Sequence, residues 1–210
     1  MKIGPIRGNM TPEVSRFCVG TRRDPDPGSV GPVRRLPPCT AVPTLPEPWL
    51  RGPVAGVAPV FQPVAHALQH AVEDVRAALA AFPDAGLDAR PAGVASVGFH
   101  LRHIMGVLDR MATYACGEAL SPEQFAALAA ESEPGPESVT ELVAAVEAAV
   151  GRFVDGLRQT SETTAFDARS VGRQALPSTV LGLLVHAAEH TQRHVGQVLV
   201  TARIIAIAPG

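Results

Sequence analysis

The sequence has few of the residues that mark several large classes of protein. Its three cysteines, Cys18, Cys39 and Cys116, are widely spaced and form no CxxC pair, so we expect no disulfide framework. Lys2 is the only lysine and the net charge is −2, which leaves no basic footprint for nucleic acid. No apolar run approaches the length of a membrane span, and the N-terminus lacks the apolar stretch of a signal peptide. These absences predict a soluble, cytoplasmic protein with neither nucleic acid nor membrane as a partner.

Aromatic residues are also scarce, at 4% of a chain that is 46% hydrophobic. This composition favours closely packed helices over a β-sandwich, which depends on aromatic and β-branched residues. Apolar residues repeat at three- and four-residue steps in four long segments, and no strand-like alternation competes with them. We therefore predict an all-α antiparallel four-helix bundle. Its helices are expected at about 60–82, 95–116, from Ser138 or Thr140 through Leu157, and 178–207.

Two further features complete the predicted organisation. A short helix over 122–132 fits the connection between the second and third long helices, with Ser121 as its N-cap and Gln124 completing a capping box. Ten of the 20 prolines lie in residues 1–48, so we expect an extended or disordered segment there. An arm docked on the body is the alternative. The bundle itself is predicted to occupy residues 49–210.

A run of histidines near the C-terminus is the strongest functional signal. His186, His190 and His194 recur at four-residue steps on one face of the predicted last helix. Neutral imidazole is the commonest metal ligand in proteins. Eight residues of helix rise about 12 Å, which is too far for all three to bind one ion. Either His186 with His190 or His190 with His194 can share an ion, and either pair needs a ligand from another helix.

The second predicted helix offers that ligand. His100 and His103 lie on one of its faces, and Gly106, one turn further on, would leave room beside the imidazole of His103. A bundle builds its metal sites from side chains on facing helices, so the pattern predicts a site between the second and last helices. His66 and His70 form another such pair on the first helix. Because no partner motif accompanies them, we interpret them as surface or cap residues.

Two stretches of the chain resemble the DinB/YfiT-like superfamily of metal-dependent enzymes, which shares only a name with the DNA-damage polymerase. The first, Ser96 to Ile104, has the form S-x-G-x-H-L-x-H-I. The second, Glu189 to Gln197, has the form E-H-x-x-x-H-x-G-Q. The resemblance extends from about Trp49 to the C-terminus. It implies a four-helix bundle with a three-histidine site for a divalent ion, zinc or nickel.

Carried over to this chain, the resemblance implies His103, His190 and His194 as the metal ligands. It leaves His186 outside the site and makes His100 a wall of it. Some members of the superfamily transfer low-molecular-weight thiols, so we expect an enzyme that activates such a thiol for attack on a small electrophile. A hydrolase that activates water, or a non-enzymatic metal-binding bundle, are the alternatives. The expected partner is a small-molecule substrate, with a homodimer left open.

Three neighbours of the predicted ligands are candidate catalytic residues. Gln197 lies one turn beyond His194 and would orient a ligand or substrate. Arg193 would reach an anionic substrate, but an ion pair with Glu189, four residues earlier, is an equally good interpretation of both side chains. The run from His186 to His190 also matches the H-x-x-E-H pattern of inverted zinc peptidases. No carboxylate follows His190 to supply their third ligand, which argues against a peptidase.

Overall fold

The computed structural model describes residues 46–207 and shows a helical body with one small sheet. Four long helices build it, and they confirm the predicted four-helix bundle. These are α1 (Gln62–Leu79), α2 (Val97–Ala115), α4 (Val139–Gln159) and α5 (Val180–Ile207). The short helix α3 (Pro122–Ala130) lies in the connection from α2 to α4, as predicted. Two short strands, β1 (Ala168–Val171) and β2 (Leu176–Thr179), precede α5.

Serine side chains fix the starts of three helices. The hydroxyl of Ser96 caps α2, and Ser121 and Ser138 cap α3 and α4 in complete capping boxes with Gln124 and Glu141. In such a box the serine oxygen and the third-residue side chain each accept a backbone N–H that the helix itself leaves unpaired. The N-caps predicted at Ser96 and Ser121 are therefore confirmed, and α4 begins after Ser138 rather than Thr140.

The long helices pack in a closed ring in the order α1, α5, α2, α4. Each helix packs on two neighbours, and one face of each is buried against them. The successive helices α1 and α2 lie diagonally across the ring, and so do α4 and α5. The connections from α1 to α2 and from α4 to α5 therefore cross an end of the bundle, and the second of them contains the sheet, whereas α3 lies in the connection between the neighbours α2 and α4.

Contacts at the helix ends show the direction of each neighbour. The backbone N–H of Val139, at the start of α4, donates to Asp84 just after α1, so α1 and α4 run in opposite directions. Arg102, near the start of α2, donates to Glu137 just before α4, so these two helices run in parallel. The four-helix bundle thus contains both antiparallel and parallel neighbours, whereas we expected antiparallel neighbours only.

The contacts of α5 complete this arrangement. Gln192 donates to the carbonyl of Ala67 near the start of α1, and Phe82 and Ala206 line one groove where the two helices end. Helices α1 and α5 therefore run in the same direction, opposite to α2 and α4. Facing segments of α2 and α5 are antiparallel, and this places the middle of α5 beside the first half of α2.

The two strands form an antiparallel hairpin that we did not predict. Ala168 pairs with Thr179, and Val171 pairs with Leu176 across the turn. Each strand has only four residues and none of them is buried, so the sequence has no buried alternation to reveal the strands. Since Leu176–Thr179 is strand, α5 begins at Val180 rather than at the predicted position 178.

Large apolar side chains from all four long helices fill the core, with Phe61, Leu68, Leu101, Ile104 and Leu142 almost fully buried. Within residues 46–207, no helix is long and apolar enough to cross a membrane. The segment predicted over residues 1–48 lies almost entirely outside the described residues, so its extended or disordered character stays a prediction.

Candidate metal centre

Three histidines meet between α2 and α5. His103 comes from α2, and His190 and His194 come from successive turns of α5. The Nε2 atom of His190 lies 3.0 Å from Nε2 of His103 and 3.0 Å from Nε2 of His194. All three side chains are half-buried. The arrangement brings together the three residues that the resemblance implied, and they include the second of the two pairs that helical spacing allowed.

The spacing of these nitrogens suits a single ion. Zinc–nitrogen bonds of about 2.0–2.1 Å in a tetrahedral site place two ligand nitrogens about 3.3 Å apart. The observed separations of 3.0 Å are close to this value, and the three potential ligand atoms all lie within 4.8 Å of one another. The donor set fits zinc or nickel, because imidazole is a good ligand for both.

The opposite ring nitrogens of two ligands have their own partners. Nδ1 of His103 lies 2.6 Å from Oε2 of Glu131, so this N–H donates to the carboxylate. Nδ1 of His194 lies 2.9 Å from Nδ1 of His100. If His194 donates there, the rings of His103 and His194 both present an unprotonated Nε2 to His190. A cation bound between these nitrogens would satisfy their lone pairs together.

The third ligand has a different environment. Nδ1 of His190 is buried and has no hydrogen-bond partner among the described residues. Aromatic rings enclose the site on the α2 side, where Phe99 stacks on His103 with ring centroids 5.3 Å apart and 13° between the planes. Phe99 also meets the rings of His100 and His194 edge-on. His100, itself buried, therefore forms a wall of the site, as the resemblance implied.

Burial favours the neutral form of His100, His190 and His194. Burial, and then the neighbouring His103, His190, His100 and Arg193, together lower the pKa of His194 to about 3. Burial, and then the neighbouring His103, lower the pKa of His100 to about 4. Burial also lowers the pKa of His190. Only neutral imidazole binds a metal, so His190 and His194 are in their ligating form at neutral pH.

Glu131 is the site residue that our sequence interpretation missed. It directly follows α3 and is buried beside His103. Its second oxygen, Oε1, accepts a hydrogen bond of 2.6 Å from Arg110 of α2, which is also buried. Burial alone would raise the pKa of Glu131, but hydrogen bonds from His103 and Arg110 outweigh it and leave the pKa below its usual value. Glu131 therefore stays ionised next to the ligand.

Gly106 is the one sequence feature that we interpreted and that bears on the position of Glu131. We expected this glycine to leave room beside the imidazole of His103. The structure fills that room with a carboxylate, since a Cβ at position 106 would lie 2.0 Å from Oε1 of Glu131. A missing side chain on a histidine-bearing helix face indicates a neighbouring group, but the sequence does not say which one.

The predicted catalytic residues lie on α5 around the ligands. Gln197 is exposed, one turn beyond His194. Arg193 donates to Glu189, and both side chains are about half exposed, so the structure shows the ion pair that we considered as the alternative to a catalytic role. Nδ1 of His186 lies 3.6 Å from the same glutamate. His186 and Glu189 form a second, more exposed group that could hold a metal, and this group shares His190 with the three-histidine site.

The sequence and the fold of this chain were compared with those of known proteins. Residues 67–198 match the model of the DinB superfamily. A conserved protein from Enterococcus faecalis has a similar structure, with a TM-score of 0.55 and 21% identity over 70% of this chain and 97% of that one. A DinB-like protein from Bacillus cereus gives a TM-score of 0.54 at 16% identity, over 70% of this chain and 94% of that one.

YfiT from Bacillus subtilis, described as a probable metal-dependent hydrolase with an unusual four-helix bundle topology, gives a TM-score of 0.53. It is 13% identical over 75% of this chain and 94% of that chain. Comparison with curated proteins gives no match. Identities this low show a shared fold alone, but the family model covers well over half of the sequence. The chain belongs to the DinB superfamily.

Proposed function

We propose that this protein is an enzyme dependent on a divalent metal ion, whose three-histidine site activates a low-molecular-weight thiol for attack on a small electrophile. The convergence of three histidines carries the metal part of the proposal, since Nε2 of His190 lies 3.0 Å from Nε2 of His194 on its own helix and 3.0 Å from Nε2 of His103 across the α2–α5 seam. The thiol part is supported only by the resemblance of the sequence to a superfamily with thiol-transferring members.

The ligand set favours catalysis over a purely structural role. Structural zinc sites are closed by four protein ligands, whereas catalytic sites have three and keep a position open. An ion bound here would act as a Lewis acid that lowers the pKa of a thiol or water in the open position. Neutral His190 and His194 add no negative charge of their own, so they preserve the attraction of the site for an anionic nucleophile.

Residues beside the ligands are proposed to bind the substrate. Arg193 is exposed and paired with Glu189, and an exposed ion pair contributes only about 0–1 kcal/mol. An anionic substrate can therefore displace Glu189 and take the guanidinium. Gln197 lies one turn beyond His194 and is proposed to orient the substrate by hydrogen bonding. Glu189 then serves to hold Arg193 in place while no substrate is bound.

Hydrolysis is the second candidate function. The structural likeness to YfiT, described as a probable metal-dependent hydrolase, favours it. The same three histidines would serve, with water in place of the thiol as the nucleophile. The choice between the two candidates depends on which nucleophile the site admits, because the metal ligands are common to both.

One assay separates these functions. Purified protein is analysed for metal content and then assayed with a panel of low-molecular-weight thiols and electrophiles, and with esters and amides, before and after chelation. We expect thiol-dependent, chelator-sensitive product formation that His103→Ala abolishes. Hydrolysis without added thiol would favour the second candidate. A metal-loaded protein inactive in both assays would support a non-enzymatic metal-binding bundle instead.

A further inference from the structure

A buried pair of opposite charges touches the candidate metal centre from one side. Glu131 and Arg110 are only 5% and 7% exposed, and their side chains meet at 2.6 Å. Moving two charges out of water is costly, and their mutual attraction often fails to repay that cost. The pair is therefore weak evidence for stability, and its contact with His103 points to a role in the site.

The carboxylate of Glu131 is shared between two donors. Oε2 accepts from Nδ1 of His103 at 2.6 Å, and Oε1 accepts from Arg110. The contact with His103 fixes the proton of that imidazole on Nδ1 and leaves Nε2 free to face His190 and His194. The contact with Arg110 holds the carboxylate in the orientation that this requires.

The backbone of α2 is adapted to the same carboxylate. A Cβ at Gly106 would lie 2.0 Å from Oε1 of Glu131 and 2.5 Å from Nη1 of Arg110. No side chain fits at such distances, so only glycine at this position lets the ion pair lie against the helix. Helix α3 ends just before Glu131 and, through the capping box that starts it at Ser121, brings the glutamate to this point.

We infer that Glu131, held by Arg110 in the space left by Gly106, is a positioning residue that orients His103 and strengthens it as a metal ligand. The inference rests on the proposed metal site and assigns it a carboxylate–histidine–metal arrangement. A carboxylate on the far nitrogen fixes the tautomer of the ring and raises its basicity. The connection between α2 and α4 thus contributes a functional residue as well as a link.

The first test replaces Glu131 by glutamine, which keeps the shape and removes the charge. Losing such a partner typically lowers metal affinity about 10- to 100-fold, so we expect Glu131→Gln to lower zinc affinity by that factor in a competition titration with a chelator. In the metal-free protein, ¹⁵N NMR of the imidazoles should show His103 with its proton on Nδ1. In Glu131→Gln the proton should move partly to Nε2, a change that a merely structural ion pair would not produce.

The second test leaves all charged groups in place. Gly106→Ala should displace the carboxylate and reproduce both the affinity loss and the tautomer change. Gly151→Ala on α4 is the matched control, because a Cβ there meets nothing within 4 Å, and it should alter neither. In a Glu131→Ala background, Gly106→Ala should cause no further loss of affinity, since the group it displaces is gone.

The outcomes separate this inference from the proposed function. If the wild-type protein binds no divalent ion, the metal site itself is wrong. If the wild type binds zinc and both Glu131→Gln and Gly106→Ala bind it with less than a twofold change and an unchanged His103 tautomer, the site stands and the role of Glu131 is overturned. The NMR measurement on metal-free protein detects the positioning even if a variant binds zinc too weakly to titrate.

Discussion

Two pairs of histidines with the same sequence spacing have very different surroundings in this protein. His190 and His194 on α5 face His103 across the α2–α5 seam, with Nε2 atoms 3.0 Å apart. His66 and His70 on α1 are also four residues apart. There, however, Nε2 of His66 bonds to the exposed Gly52 carbonyl, and His70 lies 3.6 Å from Asp74 of its own helix.

The difference shows what i, i+4 spacing does and does not determine. Spacing places two rings on one helix face, and both pairs satisfy that condition. A site further needs a facing helix that supplies a third nitrogen, as α2 does with His103. Among the described residues, the groups able to hold a metal ion all include His190, and none includes His66 or His70.

The largest expected effect is the loss of the ion from ligand variants. Replacing His103, His190 or His194 by alanine leaves two nitrogens, so each variant should purify almost metal-free, while His66→Ala retains one ion per chain. Since losing an outer-shell partner alone costs about 10- to 100-fold in affinity, losing a ligand should cost more. Elemental analysis after gel filtration measures this. If His190→Ala still bound one ion per chain, His190 and His194 would be no more important for metal binding than His66 and His70.

A smaller effect is expected from pH. Burial lowers the pKa of His194 to about 3 and also lowers the pKa of His190, so protons compete less with the metal there than at a free imidazole of pKa about 6.5. Zinc affinity should therefore stay nearly level from pH 8 through pH 6, and should fall only at a lower pH than the free imidazole pKa of about 6.5 would give. Chelator competition across this range measures it. A steep fall already between pH 7 and 6, as for a free imidazole, would show that burial does not lower the pKa values of these rings.

A still smaller effect should follow from replacing His186, which distinguishes the three-histidine site from the H-x-x-E-H interpretation. His186 is exposed and lies 3.6 Å from Glu189, outside the group formed with His103. His186→Ala should keep the ion with nearly unchanged affinity, because all three Nε2 ligands remain. Zinc titrations of His186→Ala and His194→Ala under the same conditions compare the two variants. If His186→Ala loses the ion and His194→Ala keeps it, the ion binds to the exposed group instead.

Local signals made the helices predictable and limited the last helix to two possible ligand pairs, whereas the set of three histidines came from the family resemblance. Apolar periodicity and the caps at Ser96 and Ser121 depend on neighbours in the sequence, and so does the face shared by His190 and His194. The role of Glu131 could not be predicted, because it lies 28 residues from His103 and reaches it only through the path of α3. The ring order of the helices and the hairpin depend likewise on long-range packing that periodicity does not encode.

The smallest expected effect is that of removing both histidines of α1. In His66→Ala/His70→Ala, one exposed hydrogen bond and one exposed ion pair are lost, and exposed interactions of this kind contribute about 0–1 kcal/mol each. For a chain of this size, 1 kcal/mol shifts Tm by roughly 2–4 °C, so we expect a Tm within a few degrees of the wild type. Zinc stoichiometry and affinity should be unchanged, because neither ring faces a third ligand. Calorimetry and chelator titration of the same samples test both statements, with the wild type as control. If the wild-type protein binds two ions and the double variant only one, the pair on α1 is a metal site too, and spacing alone would be enough to build one.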